Sequence, residues 1–270
     1  FVTDVASVKV AVLEELERLK APIERYVGSH PMAGREVGGA ESARSDLFQG
    51  RAWIIDSTEV DGDVLVKAKS LIAALGADLV DLPVAEHDQA VALISHLPQV
   101  IASLLAKQLS GNPESWLTLA GSGLRDTTRI AGSDPKLWRE IIAANKDSIR
   151  PLLQNFGRDL SDFIDVIGDE TAVEKMISDG RDGRSSIPGK HGGKAREYWY
   201  LPIVIDDKPG QLGAIFNECA AMEVNVEDLN IEHSPGQLSA LITLALSEND
   251  ATKLSNHLAA IGWNVHPIRK

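Results

Sequence analysis

The apolar positions in the first third of the chain switch repeatedly between strand-length runs and helical spacing. Residues 10–19 place apolar side chains at helical spacing directly after a short apolar start. The runs AWIID (52–56) and ADLVDL (77–82) have strand length, and residues 63–75 between them return to helical spacing. This alternation predicts a doubly wound α/β sheet, of which residues 1–83 form the C-terminal part.

The next part of the chain, residues 84–177, shows long stretches of helical spacing and no strand pattern. The sequence Asp134-Pro135 predicts a helix start, because aspartate caps helix N-termini and proline suits the first turn. The spacing then predicts a break between Asn145 and Pro151 before a further helix. We therefore expect an all-helical second domain, whose apolar faces suit a homodimer.

Glycines and charged residues dominate the next segment, residues 178–197, which holds five glycines and almost no apolar residue. Such a composition cannot form a packed core, so we expect a linker. Residues 198–270 then show strand and helix patterns in the order βαββαβ. This order predicts a compact C-terminal domain with the ferredoxin-like arrangement.

Composition and charge narrow the kinds of partner. Hydrophobic residues make up 44% and charged residues 24% of the 270 residues, as in soluble globular proteins. The formal charge of −12 argues against nucleic acid and anionic membranes, which both need clustered cations. The pattern shows no apolar run of about 18 residues and no signal segment. The single cysteine, Cys219, excludes an intramolecular disulfide. We expect a cytoplasmic protein with a small-molecule ligand, no nucleic acid and no membrane.

Three polar residues stand in settings that suit chemistry. His30 lies in GSHPMAG (28–34), where small residues and a proline predict a loop that presents an imidazole for acid–base work. The alternative is a loop histidine bonded to solvent. His96 lies before Leu97-Pro98 near a predicted helix start, where a capping or packing role is the alternative. Arg129 precedes the capped helix and suits a bidentate contact to an anion, or else a surface salt bridge.

Four segments together resemble the prephenate and arogenate dehydrogenase family. They are, in family order, TDVASVK (3–9), GSHPMAG (28–34), ISHLPQ (94–99) and TTRIAGSDPKLWREI (128–142). The resemblance implies a Rossmann-type nucleotide domain followed by a helical dimerisation domain. It also implies NAD- or NADP-dependent oxidative decarboxylation of prephenate to 4-hydroxyphenylpyruvate, on the route to tyrosine.

The resemblance implies a role for individual residues. His30 matches the catalytic histidine, which accepts a hydrogen bond from the ring hydroxyl of the substrate. Ser7 matches the serine that bonds this histidine near the nicotinamide, and Arg129 matches the arginine that pairs with a substrate carboxylate. His96 matches the pocket histidine of the H-L-P motif. We expect further substrate contacts at Gln99 and Arg125, and cofactor contacts at Asp4, Ser7 and Pro31.

Two positions depart from the family pattern. Some relatives have a second histidine where this chain has Gln99, and some have threonine where it has Arg35. Both departures leave the choice between prephenate and arogenate open.

The turn DDKPGQLG (206–213) and the βαββαβ order resemble an ACT domain. Glycine at the helix start lets backbone N–H groups approach a carboxylate, which supports an amino-acid effector, with tyrosine as the natural candidate. The expected contacts are Asp207, Gly210, Gln211, Leu212 and Asn225. A structural or dimerising domain without a ligand is the alternative.

The G-x-G-x-x-G loop that opens a dinucleotide fold does not occur in the 270 residues. We expect the parts that hold pyrophosphate and choose between NAD and NADP to lie upstream of Phe1, and this chain alone to be inactive and not to bind NAD. A catalytically silent, amino-acid-sensing dimer is the alternative to an enzyme. The presence of His30, Ser7 and Arg129 together favours the enzyme.

Overall fold

The computed structural model describes residues 1–34, 39, 43–188, 198–233 and 238–270. Arg35 and residues 189–197 of the predicted linker lie outside the described residues. The chain divides into two compact units, which comprise residues 1–110 with 127–165 and residues 111–126 with 166–270. The helical region therefore contributes to both units.

Among the described residues, five short strands form the sheets of the first unit. They are β1 Val2–Thr3, β2 Tyr26–Val27, β3 Ser29–Pro31, β4 Ala52–Ile55 and β5 Asp78–Asp81. β1 pairs with β2 in parallel and β4 pairs with β5 in parallel, whereas β3 runs antiparallel to β4 with His30 opposite Ile54. The expectation that GSHPMAG forms a loop is therefore wrong around His30. Backbone pairing with β4 makes this segment a strand and fixes its direction.

The helices α1 Val10–Arg18 and α2 Gly62–Ala74 follow β1 and β4 in the chain. α2 buries Val64, Ala68 and Ile72, which share one face because they are spaced four residues apart. These side chains join a core that also contains Val27, Trp53 and Ile55. The predicted helix at 63–75 and the strands on either side of it are confirmed.

One long helical stretch positions much of the first unit. It consists of α3 Val84–Val91, a π-helical turn Ala92–His96 and α4 Leu97–Lys107. His96 directly precedes α4, as expected of a position near a helix start, and it also ends the π turn inside the stretch. Pro98 accounts for this turn, since proline has no N–H for the regular helical bond and its ring crowds the preceding turn.

By length and composition alone, residues Val84–Lys107 could cross a membrane. However, the stretch buries His87, Asp88, His96 and Gln99. The first three of these side chains are hydrogen-bonded within the first unit. Buried polar groups with protein partners are typical of a core helix in a folded domain. We therefore interpret the stretch as the central helix of this unit.

Two further helices complete the first unit, α7 Pro135–Ala144 and α8 Lys146–Asp165. Asp134 caps α7 as predicted, accepting a hydrogen bond from the backbone N–H of Lys136 at 2.8 Å. The predicted break falls at Asn145 alone, because Pro151 lies inside α8. α8 leaves Phe156, Leu160 and Ile164 exposed.

The second unit contains α5 Glu114–Leu117, α9 Glu170–Ser185 and most of α6 Ser122–Thr128. The prediction of a linker beginning at residue 178 is wrong, since α9 continues to Ser185 despite two glycines. Asp169 caps its start by accepting backbone hydrogen bonds at 2.9 and 3.2 Å, and the Lys175–Asp179 pair supports its middle. The helix ends shortly before Pro188.

The C-terminal residues of the second unit form the predicted βαββαβ arrangement. Its elements are β6 Trp199–Asp206, α10 Gln211–Ala221, β7 Asp228–His233, β8 Ser239–Leu246, α11 Glu248–Ala260 and β9 Asn264–Val265. The strand order is β7-β8-β6-β9, and all neighbouring strands are antiparallel. Both helices pack on this sheet through buried residues such as Ile215, Leu254 and Leu258.

Candidate active site

A cavity of about 340 Å³ lies within the first unit, between the strand that carries His30, the central helix and α7. Its polar lining comprises Ser7, His30, Ser95, His96, Gln99 and Ser133. Its apolar lining includes Met32, Ile94, Pro98, Ile130, Leu137, Trp138 and Ile141. A mostly apolar cavity with a few convergent polar groups is the usual form of a small-molecule site.

A buried lysine, Lys9, hydrogen-bonds to the backbone of the strand that contains His30. Lys9 is 2% exposed, and its ammonium donates to the backbone oxygen of Ser29 at 2.6 Å and pairs with the carboxylate of Asp4. Asp4 also accepts hydrogen bonds from the hydroxyl of Tyr26 and from the backbone N–H of Ala6. These contacts fix the backbone next to His30, so the carboxylate of Asp4 serves the scaffold of the site.

Burial shifts the pKa values of this scaffold. It lowers the pKa of Lys9, although the neighbouring carboxylates of Asp4 and Asp88 oppose the shift. It also raises the pKa of Tyr26, and the hydrogen bond to Asp4 adds to the effect, so Tyr26 keeps its proton and remains a donor.

His30 is the end of a hydrogen-bonded chain that leads into the central helix. Its Nδ1 lies 2.9 Å from Nε2 of His87, and Nδ1 of His87 lies 2.7 Å from Oδ1 of Asp88. His87 is 0% exposed and Asp88 is 2% exposed. The carboxylate also accepts the backbone N–H groups of Lys9 and Val10 at 2.8 and 3.0 Å. The chain therefore ties His30 to the start of α1 as well as to α3.

The order of partners sets the tautomer of His30. Burial alone would raise the pKa of Asp88, but the hydrogen bonds from His87 and from two backbone N–H groups outweigh it, and its pKa lies below the usual value. The ionised carboxylate can only accept, so His87 donates through Nδ1, and in the form of His87 with a single N–H its Nε2 accepts. His30 then donates through Nδ1, which leaves its Nε2 as an acceptor.

His30 itself is neutral near pH 7. Burial, helped by the nearby His87 and Lys9, lowers its pKa to about 4. Its Nε2 has no hydrogen bond among the residues that the structure describes, and these include no side-chain N or O atom that is both fully buried and unpaired. The free nitrogen therefore reaches the cavity as a hydrogen-bond acceptor.

His96 meets a second buried polar residue, Asn145. Nδ2 of Asn145 lies 3.1 Å from Nδ1 of His96 and 2.8 Å from the backbone oxygen of Asp88. The imidazole of His96 also meets the indole of Trp138 edge to face, with 5.8 Å between ring centroids. Burial is the main reason that the pKa of His96 is lowered to about 4, so it too is neutral near pH 7.

The structure brings four of the predicted residues to one cavity: Ser7, His30, His96 and Gln99. One predicted contact is missing, however. Over the described part of the chain no hydrogen bond joins Ser7 to His30, whose Nδ1 is bonded to His87. The expectation that Ser7 orients the histidine stays a prediction.

The other predicted residues lie outside the cavity lining. Arg129 is exposed in a 3-10 turn, Arg129–Gly132, whose next residue Ile130 does line the cavity. Arg125 is exposed on α6 in the second unit. Pro31 lies on β3 opposite Trp53. The ligand contacts expected of Arg129, Arg125, Pro31 and Asp4 stay predictions.

Four of the five predicted effector residues lie where β6 leads into α10. Gly210 caps α10 with a φ of +89°, in the left-handed region, and Gln211 is the first helical residue. Asp207 and Leu212 are exposed in the same turn. Asn225 lies before β7 and donates to Oε1 of Glu227 at 2.9 Å.

Sequence reasoning missed His87, Asp88 and Asn145. The available signal was the pair His87-Asp88 shortly after the predicted strand 77–82. In a helical pattern such residues fall among the polar positions, which are usually solvent-exposed.

Two protein-family models match consecutive parts of this chain. The model of the prephenate dehydrogenase nucleotide-binding domain matches residues 1–81, and that of the prephenate dehydrogenase dimerization domain matches residues 83–177. The first match corrects the expectation that the nucleotide-binding part is missing, since residues 1–81 are themselves part of that domain.

Individual relatives agree. The chain is 30% identical to a probable prephenate dehydrogenase, NovF, of Streptomyces niveus, over 97% of this chain and 76% of that protein. It is 26% identical to the prephenate dehydrogenase of Bacillus subtilis, over 93% of this chain and 70% of that protein.

Two solved structures resemble this one at 30% identity, each with a TM-score of 0.58. The arogenate dehydrogenase of Synechocystis covers 68% of each chain. The prephenate dehydrogenase of A. aeolicus, in complex with hydroxyphenyl propionate and NAD+, covers 67% of this chain and 65% of that chain. By its two domain matches, its relatives and its structural neighbours, this chain belongs to the prephenate dehydrogenase family.

Proposed function

We propose that this protein catalyses the NAD-dependent oxidative decarboxylation of prephenate to 4-hydroxyphenylpyruvate in tyrosine biosynthesis. The observation that carries the proposal is the neutral imidazole of His30, whose free Nε2 reaches an apolar cavity as an acceptor. NADP instead of NAD remains the alternative cofactor.

The residues present fit the reactive end of such a cofactor. Ser7 and His30 line the cavity near the carboxyl ends of β1 and β2, which is the edge where open α/β sheets bind their ligands. The match to the nucleotide-binding domain and the NAD+ in the A. aeolicus structure support the same assignment. A cofactor bound there would supply the acceptor for the hydride of the carbon that carries the ring hydroxyl.

The protein's own part in the step is to hold a proton. His30 accepts the hydrogen bond of the ring hydroxyl at Nε2 and takes its proton as the carbon loses hydride and becomes carbonyl-like. The bond from the ring to its carboxylate then breaks, CO2 leaves, and the electron pair completes the aromatic ring. His30 returns the proton to the phenolic oxygen, so the histidine ends the cycle neutral.

The rest of the cavity suits the substrate. Ile94, Leu137 and Trp138 give the cavity an apolar wall that suits a six-membered ring. Gln99 and His96 add polar contacts, and Arg129 is proposed to pair with a substrate carboxylate, since guanidinium binds carboxylate bidentately.

The test is NADH formation from prephenate by the purified full-length protein and by His30→Asn. Asparagine can still hydrogen-bond but is not a base near pH 7, so kcat should fall by about 10²- to 10⁴-fold. His266→Asn, an exposed site, is the matched control and should keep full activity. Failure of the native protein to oxidise prephenate, or full activity of His30→Asn, would contradict the proposal.

Arogenate is the second candidate substrate, because the Synechocystis neighbour is an arogenate dehydrogenase. Arogenate carries an amino group where prephenate carries a keto group, and both present the same ring to His30. Comparison of kcat/KM for the two substrates decides between them.

We also propose that the C-terminal domain is an ACT domain that binds tyrosine as a feedback inhibitor. Supporting this, Gly210 precedes α10 in a left-handed conformation, and the start of a helix is a usual binding site for a carboxylate. Asp207, Gln211, Leu212 and Asn225 are the proposed further contacts. Tyrosine should raise the melting temperature and inhibit the native protein.

The effector proposal has a matched pair of variants. Gly210 and Gly262 both have a φ of +89°, so alanine at either position should strain the backbone equally. Both variants should lose similar stability, but only Gly210→Ala should lose the response to tyrosine. A response to tyrosine in a protein that never oxidises prephenate would instead favour a catalytically silent sensor.

The proposed assembly is a homodimer in the cytoplasm. The match to the dimerization domain and the exposed apolar residues of α8 support it.

A further inference from the structure

Asn145 is a buried amide at the end of α7 with no role in the sequence-based assignment. It is 3% exposed and lies between the backbone of Asp88 and the ring of His96. Its contacts thus run to two parts of the central helix. The inference that follows rests on the proposed function.

The orientation of the amide is fixed by one contact. Nδ2 of Asn145 lies 2.8 Å from the backbone oxygen of Asp88, which can only accept. The opposite orientation would place two oxygens against each other. The NH2 group therefore faces Asp88, and it donates its second hydrogen to Nδ1 of His96 at 3.1 Å.

This contact decides the tautomer of His96. An NH2 group has no acceptor, so Nδ1 of neutral His96 must be unprotonated and its proton must lie on Nε2. Nε2 has no partner within the described residues, and none of their side-chain polar atoms is both fully buried and unpaired. The N–H of Nε2 therefore reaches the cavity that His96 lines.

The two histidines of the cavity thus present opposite functions. His30 offers an acceptor, which suits the ring hydroxyl, and His96 offers a donor. We propose that Asn145 is a positioning residue that fixes His96 as an N–H donor to an oxygen acceptor of the substrate, either a carboxylate or a keto oxygen. The N–H of neutral His96 carries no net charge. It can therefore bind this oxygen without needing a counterion, for which a charged donor would compete with Arg129.

A purely structural role for Asn145 is the competing explanation. Its backbone links two helices, since its N–H donates to Ile141 and its C=O accepts from Ile149 at 3.0 and 3.1 Å. Those contacts survive any change of the side chain. A structural role would alter stability but would not move the proton of His96.

The primary experiment observes the proton itself. In ¹⁵N-histidine-labelled full-length protein at neutral pH, the signal of His96, assigned by its loss in His96→Gln, should show the Nε2–H tautomer. In Asn145→Asp, a carboxylate of the same shape faces Nδ1, which should then carry a proton. An Nδ1–H tautomer in the native protein, or an unchanged signal in Asn145→Asp, overturns the proposal.

Steady-state kinetics provide the second readout. Asn145→Asp and Asn145→Ala should raise KM for prephenate by about tenfold or more, as expected for a lost hydrogen bond to a charged group, with kcat within about threefold. Asn155→Asp adds the same charge at an exposed position of α8 and should change neither constant. An unchanged KM in both Asn145 variants also overturns the proposal.

The two readouts separate the possible failures. If the native protein does not oxidise prephenate, the proposed function fails, while the tautomer of His96 still decides the role of Asn145. If Asn145→Asp does not fold, Asn145→Ala and the signal of the native protein provide the decision.

Discussion

Replacing His87 with leucine removes the acceptor that faces His30 while keeping a side chain of similar size. His87 is 0% exposed and connects Nδ1 of His30 to Asp88 over 2.9 and 2.7 Å. In His87→Leu, Nδ1 of His30 no longer has an acceptor, so the proton is free to move to Nε2. That shift would replace the acceptor in the cavity with a donor.

The structure sets the size of the expected effect. One hydrogen bond contributes about 0.5–1.5 kcal/mol, and a buried group left unpaired costs about 1–3 kcal/mol. His30 loses its partner at Nδ1, so the acceptor tautomer should be disfavoured by about 1–3 kcal/mol. This corresponds to a loss of about 5- to 150-fold in kcat. Asp88 keeps its two backbone donors, so the fold should survive with reduced stability.

The assay is steady-state oxidation of prephenate, with unfolding followed in denaturant. The variant His87→Leu should lose kcat with little change in KM, because the acceptor acts mainly as the proton moves. His266→Leu, at an exposed position, should behave like the native protein. A native kcat in folded His87→Leu would show that the chain from His30 to Asp88 does not set the reactive tautomer.

Four further predictions test other parts of the structure. Because the pKa of His30 is lowered to about 4, kcat should stay level from pH 8 down to about pH 5 and fall near pH 4, and a fall near the ordinary histidine value of about 6.5 would contradict this. The pKa values of His30 and His96 are both about 4 in the folded protein, so the unfolded chain binds more protons than the folded one between about pH 4 and 6.5. The free energy of unfolding should therefore fall by up to about 3 kcal/mol per histidine as the pH drops through that window, which denaturant titrations would measure. Lys9→Met removes the ammonium that pairs with Asp4 and should lower the free energy of unfolding by about 2–4 kcal/mol. A smaller loss, measured by unfolding in denaturant, would show that Lys9 does not hold the strand of His30 in place. Leu160→Asp places a charge on the exposed apolar face of α8 and should yield monomers by light scattering if that face forms the dimer.

The regular elements of the fold could be predicted because their apolar residues repeat. The spacing in 63–75 predicts α2, and the runs on either side predict β4 and β5. The strand at His30 could not be found this way, because it has three residues and exists through its pairing with β4. The glycines of 178–185 suggested a linker. A helix forms there because Asp169 caps its start and no proline lies between Asp169 and Pro188.

The candidate site divides in the same manner. His30 and His96 stand in distinctive short segments, and the structure places both at one cavity. Their partners His87, Asp88 and Asn145 carry no such signal, since a polar residue in a helical pattern predicts an exposed face. Burial of these three residues depends on contacts across 50 or more positions of the chain, which no local pattern contains.

The π turn explains why His87 and His96, which lie on the same helical stretch, both contribute to one site. In a regular α-helix each residue turns the chain by about 100°, so positions nine apart, such as His87 and His96, would point about 180° away from each other. The π turn, in which the N–H of Leu97 bonds to the oxygen of Ala92, absorbs one extra residue. The nine steps then turn the chain about as far as eight, and the two side chains lie about 80° apart. The helical repeat of 3.6 residues in the sequence does not predict this relative orientation of His87 and His96, because the rotation comes from a local departure from that repeat. The turn thus lets one helix carry both the partner of His30 and the donor that Asn145 fixes.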